Sequence, residues 1–339
     1  MKLAKTIYYN LCSLLPIQFL NWLGPDMPLL PYQHTVSSES LPHIKHLYKY
    51  KNEKQFIHDL DFLLKHYKPI HVDELIFSVR EKKILPPRSF LLSFDDGFRE
   101  VFDIIAPILE KKGIPALFFI NPAFIDNNEL FYRCKISLLI EAIHKNKKGN
   151  KTIQPFFELL NIEENKSTKI IPALKKINQI NAEVLDRLAE VMDFSFDLFL
   201  KKQQPFLSSP QLHSLSERGF SIGAHSINHP YYKLISIEEQ LKQTIDSCNY
   251  VNNKWGTGSC SFSFPHSDKE LNQDLFDKLN NTDIPLLFGI QNEKNELNNK
   301  MLHRFNAERP EIELNKQIKG LIFIMWLRTL AGKNNVIRK

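Results

Sequence analysis

Glycine is scarce in this chain, 11 residues in 339, well below the usual ~7%. No GxGxxG and no GxxxxGK[ST] string occurs, so the glycine-rich loops that cradle dinucleotides and nucleotide phosphates are absent. The four cysteines, Cys12, Cys134, Cys248 and Cys260, contain no CxxC pair, which argues against a disulfide framework and against a structural zinc ribbon. Long apolar runs are missing too. The longest in the C-terminal region, 321–327, falls far short of the ~20 residues that span a bilayer. Nor does one sign of charge dominate. Lys and Arg number 44 against 38 Asp and Glu, and from Glu311 to Lys339 alone six basic residues face two acidic ones. The remainder is close to balanced, so no nucleic-acid partner is expected.

Hydrophobic residues make up 43% and charged residues 24%, enough for a packed core and too apolar for a disordered chain. The length fits one α/β barrel. The opening MKLAKTIYYNLCSLLPIQFLNWLG starts with Lys2 and Lys5 and continues apolar, with Pro16, Gln18 and Asn21 interrupting it and no small-x-small cleavage site after it. Residues 1–27 are expected as a helical segment, buried or lying on a surface, with a signal anchor as the other reading.

Short apolar runs then alternate with helical patterns, the signature of βα units. MPLLPYQHTV, SFLLSF, PALFFIN, FSIGAH, SFSF, PLLFGI and the stretch 301–305 read as strands. Asn52 is a candidate N-cap for a helix presenting Phe56, Leu60, Leu63, Leu64 and Tyr67, and Gly113 a stop for the helix that begins near Val101. Ser236 with Glu239 predicts a capping box for a helix burying Leu241, Ile245 and Cys248. Residues 131–205 show helical patterns joined by polar connectors, including the basic KNKKGNK, and no strand. They read as a helical insertion, with too few periodic apolar residues for a core of its own.

Two segments carry chemistry. Asp95-Asp96-Gly97 directly follows a buried strand. Adjacent strand residues point to opposite faces, so two carboxylates converge there only through a turn, which Gly97 permits; an ordinary solvated strand exit is the plainer reading. His225-Ser226-Ile227-Asn228-His229-Pro230 also follows a strand. Imidazoles at i and i+4 share one side of a helical turn, with Ser226 as a candidate cap. Taken together, one Asp and two His give three ligands and an open position for water, the layout of a catalytic metal site. Both lie at carboxyl ends of strands, where barrel active sites gather.

These residues resemble the polysaccharide deacetylase (NodB-homology) superfamily, carbohydrate esterase family 4. Its first motif, TFDDG, is similar to Ser93-Phe94-Asp95-Asp96-Gly97; its second, H[ST]xxH, to His225–His229; its third, RxP[YF]G, to Ser263-Phe264-Pro265-His266-Ser267. Tyr32-Gln33-His34 resembles the Tyr-His pair on the first strand of many members. The likeness covers about residues 30–305. It implies an α/β fold, a deformed (β/α) barrel of about seven strands, with the helical insertion (about 131–205) inside a barrel spanning 28–310. It implies that Asp96, His225 and His229 bind a divalent metal, usually Zn2+, that Asp95 is the general base, and that a late His, here His303, protonates the leaving amine. Tyr32, His34, Pro265, His266 and Arg304 are the candidate substrate contacts.

The pattern is broken at motif three, where Ser263 stands in place of the Arg that orients the base, His266 in place of an aromatic residue and Ser267 in place of Gly. Arg304, from a neighbouring strand, is a candidate substitute. The implied activity is removal of an N-acetyl group from an amino sugar in a polysaccharide, oligosaccharide or glycolipid. The alternative from another class is a non-catalytic glycan-binding protein on the same barrel. An iron oxygenase uses the same ligand set, and a glycosidase is disfavoured because adjacent Asp residues do not flank a bond at ~5–9 Å. Residues 311–339 are expected as a basic amphipathic helix, with Ile318, Leu321, Ile322, Met325 and Trp326 at helical spacing, either packed on the barrel or in peripheral contact with an anionic membrane. The expected location is the cytoplasm or the cytoplasmic membrane face. The oligomeric state is left open by the sequence.

Overall fold

The computed structural model describes residues 2–24, 27–145, 154–163, 167–256, 260–292, 294–296 and 300–338; most of the KNKKGNK connector lies outside them. The fold is α/β, with a small parallel pair, Lys68–Pro69 with Ser89–Phe90, and an eight-stranded all-parallel sheet curled nearly into a barrel. Its strands are β1 (Pro31–Gln33), β2 (Leu92–Phe94), β3 (Ala116–Ile120), β4 (Ser221–Ala224), β5 (Phe262–Ser263), β6 (Leu287–Gly289), β7 (Met301–His303) and β8 (Phe305–Asn306). The order around the ring is β8-β1-β2-β3-β4-β5-β6-β7. Only Arg304 separates β7 from β8. Its N–H still bonds Gly289 in β6, whereas the N–H of Phe305 already bonds Leu30 beside β1. One run of chain, 301–306, therefore closes the circle, and seven segments make the eight strands, in line with the expected barrel of about seven.

The strands are continuous apolar runs because they are buried on both faces, as parallel sheets require; every residue of β3 is buried. Five helices frame the barrel where it bears on function: α1 (Lys2–Ser13), α2 (Ile17–Leu23), α3 (Glu53–His66), α4 (Ile237–Trp255) and α5 (Leu314–Leu330). Asn52 caps α3 as predicted, accepting from the Gln55 N–H while the Gln55 side chain accepts from the Asn52 N–H. The helix after Gly97 opens as a wide π turn and stops at Gly113, whose φ is +64°.

Three expectations are revised or decided. In α4 the buried face is polar apart from Cys248, Val251 and the terminal Trp255: Gln240, Gln243, Thr244 and Ser247 point inward while Leu241 and Ile245 are half-buried. The face tolerates burial because most of its polar groups have partners, Gln240 Nε2 donating to the Tyr232 carbonyl at 2.7 Å and Thr244 bonding the Tyr232 hydroxyl at 2.9 Å, with Gln240 Oε1 left unpaired. Ser236 accepts from the Glu239 N–H, but the Glu239 carboxylate accepts from Gln243 instead of completing a box. Second, the 131–205 block does have a hydrophobic cluster. Leu139, Phe156, Leu174, Leu185 and Leu188 pack with Leu41, Ile44, Phe98, Phe124 and Phe206 from barrel loops, so part of the core is contributed from outside the block's own periodicity. Third, the apolar stripe of α5 faces inward: Ile318, Leu321, Ile322 and Met325 are buried and the helix packs on α1, α2 and α3. Among the described residues no helix is long and apolar enough to cross a membrane.

Candidate metal centre

Strand β2 ends at Phe94, and the next residue still bonds the neighbouring β1, the Asp95 N–H donating to the Gln33 carbonyl at 3.0 Å. The chain then turns through two left-handed residues, Asp96 at φ +72° and Gly97 at φ +64°. That double turn brings both carboxylates to one end of the barrel. At Gly97 a Cβ would also meet the Ile120 side chain at 3.2 Å, so this position needs glycine twice over.

Strand β4 delivers His225 beside them. The segment after it is not the helical turn that the i, i+4 spacing suggested. Ser226 and His229 both adopt left-handed backbone (φ +65° and +59°), and the Ser226 hydroxyl accepts from the His229 N–H at 3.1 Å. This tight loop still brings the two imidazoles together, with ring centroids 4.8 Å apart. Asp96 Oδ1 lies 3.2 Å from His229 Nε2 and 3.5 Å from His225 Nε2, and the three ligand atoms sit within 4.8 Å of one another. All three residues are buried.

The surroundings fit a divalent ion. Asp96 Oδ1 is a buried oxygen with no hydrogen-bond donor. His225 Nδ1 donates to the Ser263 carbonyl at 2.8 Å, which fixes the tautomer with the Nε2 lone pair toward Asp96. Burial holds His225 down to a pKa of about 4 against the pull of Asp95, so at neutral pH it is an uncharged donor. His229 Nδ1 meets His266 Nε2 at 3.2 Å. His266, buried near His229 and Arg133, is kept well below the ordinary imidazole value and is uncharged at neutral pH; it stacks flat on Tyr231 at 3.5 Å. The Asp96 carboxyl, in spite of its burial, is held far below the usual range by His229 and its neighbours.

Asp95 has a different partner. Arg304 grips it with both arms of its guanidinium, Nη1 to Oδ1 and Nη2 to Oδ2, each at 2.7 Å. The same guanidinium donates to Ser93 Oγ at 2.9 Å and Ser263 Oγ at 2.5 Å and lies over the Tyr32 ring, 4.6 Å from its centroid. Burial pushes the Asp95 carboxyl up, but Arg304 and His225 outweigh it and hold the group below its ordinary value. Arg304 is thus not a wall of the cavity. It occupies the barrel interior behind Asp95, and the small Ser263 supplies a hydroxyl for it where the resemblance led one to expect an Arg.

The cavity in front of these groups encloses ≈ 310 Å³, within the ~300–1,000 Å³ common for small-molecule sites. Of the candidate substrate contacts, Tyr32, His34 and His266 line it; Pro265 and Arg304 do not. His34 is held by Glu308, which accepts from its Nδ1 at 2.8 Å and from the N–H groups of His34 and Thr35 at 3.0 Å each. Burial lowers the His34 pKa, yet Glu308 and the two Asp raise it to about 9. His303 is elsewhere. It is buried against Glu296 at 2.8 Å and Asp268 at 3.7 Å, and Arg338 already bonds both carboxylates. Sequence reading missed Glu308, Tyr48, Phe131 and Arg133. The last three lie in loop and insertion segments without a motif, and Phe131 covers one face of His229 at 4.5 Å.

A family model described as polysaccharide deacetylase matches residues 82–287. No curated protein matches. Among solved structures, a Streptococcus pyogenes deacetylase, PplD, in complex with acetate aligns at TM-score 0.56 and 12% identity, covering 88% of this chain and 99% of that one. A de-N-acetylase from Aggregatibacter actinomycetemcomitans aligns at 0.54 and 14%, covering 86% and 98%. IcaB from Ammonifex degensii aligns at 0.53 and 15%, covering 88% and 98%. At these identities the structural likeness is one of fold.

Proposed function

We infer that this chain, which belongs to the polysaccharide deacetylase family with its NodB-homology barrel, removes an N-acetyl group from an amino sugar of a glycan or glycolipid by metal-assisted hydrolysis. The observation that carries the reading is the buried Asp96 oxygen without a hydrogen-bond partner, facing His229 and His225, the latter with its tautomer set by the Ser263 carbonyl. Asp96, His225 and His229 would hold the ion, with zinc the choice for a His₂-carboxylate set that keeps an open position. When bound, such an ion acidifies water and polarises a carbonyl.

The remaining work falls to the chain. Asp95, kept ionised by Arg304, accepts the proton of the attacking water. Arg304 fixes both oxygens of that base, so the carboxylate cannot rotate away as the proton arrives. The leaving amine needs a proton, and His34, a cavity imidazole whose pKa is raised to about 9 by Glu308, can carry one at neutral pH. This reading moves the acid role from His303 to His34. Tyr32, Tyr48 and His266 shape the space for the sugar. Arg304 also removes the motive for the glycan-binding alternative, which rested on a missing guanidinium.

The test is acetate release from a panel of N-acetylated oligosaccharides before and after chelation, with metal analysis of the same samples. Activity should vanish with the metal and return with Zn2+ or Co2+. Hydrolysis that survives complete metal removal refutes the reading.

A further inference from the structure

Away from the barrel mouth, α1 and α2 lie over α5 and present an unusual outer surface. Ile7, Leu11 and Leu14 recur at i, i+4 and i+7, one stripe of a helix, and are 51%, 61% and 80% exposed. The turn after Leu14 leads into α2, where Phe19 and Trp22 follow at i and i+3, with Trp22 78% exposed. A globular protein rarely leaves such a set of large apolar side chains in water without a partner.

The opposite faces explain why these helices are held so firmly. Tyr8 donates to the Gly320 carbonyl at 2.6 Å, and Lys319 Nζ donates to the Ser13 carbonyl at 2.8 Å. Gly320 is required, since a Cβ there would meet the Tyr9 ring at 2.7 Å. The inner face of α1 is spent on α5, so the outer stripe is an extra surface and not a misplaced core.

Charge points to the occupant. Neither α1, α2 nor α5 contains a single Asp or Glu, while Lys2, Lys5, Lys316, Lys319 and Arg328 belong to them. On the flank of α1 opens the largest of the described cavities, ≈ 970 Å³, where Tyr9 and Asn10 meet Lys49, Lys54, Arg309 and Lys316. The carboxylates that share it are matched by cations, Asp59 by Lys51, Glu311 by Lys49 and Glu313 by Lys316, so Lys54 and Arg309 leave the flank net basic. Helices with an apolar stripe, an aromatic tip and cations but no carboxylates match an anionic lipid surface: acyl boundary against the stripe, headgroup phosphates at the basic shoulder. Trp22 and Phe19 suit the interface itself.

We propose that the α1–α2 face seats the protein on the surface of an anionic phospholipid bilayer, lying in the plane of the interface. This differs from the expectation drawn for the C-terminal helix, whose apolar stripe is consumed in packing, and it stands independently of the hydrolytic reading.

The experiment is sedimentation of the full chain with vesicles of phosphatidylcholine alone and of phosphatidylcholine containing phosphatidylglycerol. The Leu14→Ser/Trp22→Ser variant is run alongside, with circular dichroism and light scattering on both proteins without lipid. Anionic vesicles should capture the native chain at least about tenfold better than neutral ones, with binding weakened by salt. The variant should lose that capture while keeping its spectrum, because both side chains are exposed. Equal capture of native and variant chains overturns the proposal, as does indifference to lipid charge. Self-association in lipid-free solution that the variant abolishes also overturns it, by assigning the face to a second copy.

Discussion

Replacing Arg304 isolates the interaction on which the proposed base depends. The side chain is 1% exposed and makes four hydrogen bonds, two of them to Asp95, itself 3% exposed. In Arg304→Met the carboxylate keeps its burial and loses its cation, and breaking a buried pair from one side costs about 3–5 kcal/mol of stability. The sign with pH is also fixed. In the native chain the Asp95 pKa is depressed, so its contribution is present above the unfolded value of ~3.9 and is lost as pH falls. Without Arg304 burial dominates and the pKa rises above that value, so the Met variant should gain stability relative to the native chain as pH is lowered. Arg304→Lys keeps the charge but not the fork. Loss of one charge-assisted bond, about 1.5–3 kcal/mol, corresponds to roughly 10–100-fold in rate if it is felt in the transition state. Urea unfolding at pH 5 and 7, paired with acetate release, reads both effects. A Met variant that unfolds at the native urea midpoint, with an unchanged pH–rate profile, would falsify the assignment of Arg304 as Asp95's partner. The converse exchange is Ser263→Arg combined with Arg304→Ser. Position 263 already touches the guanidinium, so this pair should recover part of the rate lost in Arg304→Ser alone.

His34 and His303 separate the two proposed proton donors. His34→Gln should lower kcat by about 10²–10⁴ and erase the alkaline limb near pH 9, whereas His303→Gln should change unfolding more than turnover; the reverse pattern in a pH–kcat series sinks the exchange of roles. His34 also contributes stability that is complete below about pH 6.5 and fades as pH rises through about 9, so Glu308→Gln should flatten that alkaline slope in urea titrations. His43 behaves in the opposite sense. Both its ring nitrogens are buried without partners and burial, with Arg99, lowers its pKa to about 3. Stability should therefore drop by about 1.4 kcal/mol per pH unit from ~6.5 downward through this group, and His43→Phe, filling the space against Phe98 and Phe199, should remove that slope. An acid titration of the Phe variant that parallels the native one counts against the burial explanation.

The local chemistry of the site was legible in the sequence because it is written in short, contiguous signals. A buried run ending in Asp95-Asp96-Gly97 and another ending in His225 fix which end of the sheet gathers ligands. The backbone route between His225 and His229 was not legible, since two left-handed residues give the same proximity as a helical turn and spacing cannot tell them apart. Arg304 was visible as a candidate, but its bidentate hold on Asp95 depends on ring closure between positions more than 200 apart. The insertion's core escaped notice because Phe98, Phe124 and Phe206 enter it from barrel loops. In α4 the apolar periodicity misled, because the inward face is built from glutamines, Thr244 and Ser247 whose partners lie mostly on other elements.

The seam at 301–306 has a further consequence. The residue at which the chain switches from one neighbouring strand to the other is the residue that clamps Asp95. Mechanical integrity and proton chemistry thus share a single joint. If the ring gapes between β6 and β1, the guanidinium withdraws and the carboxylate is stranded, so under the proposed hydrolytic reading a partly opened molecule would be an inactive one. A barrel that carries the arginine at the position of Ser263, on β5, would lack this interlock, and its base should tolerate loosening of the last strand better.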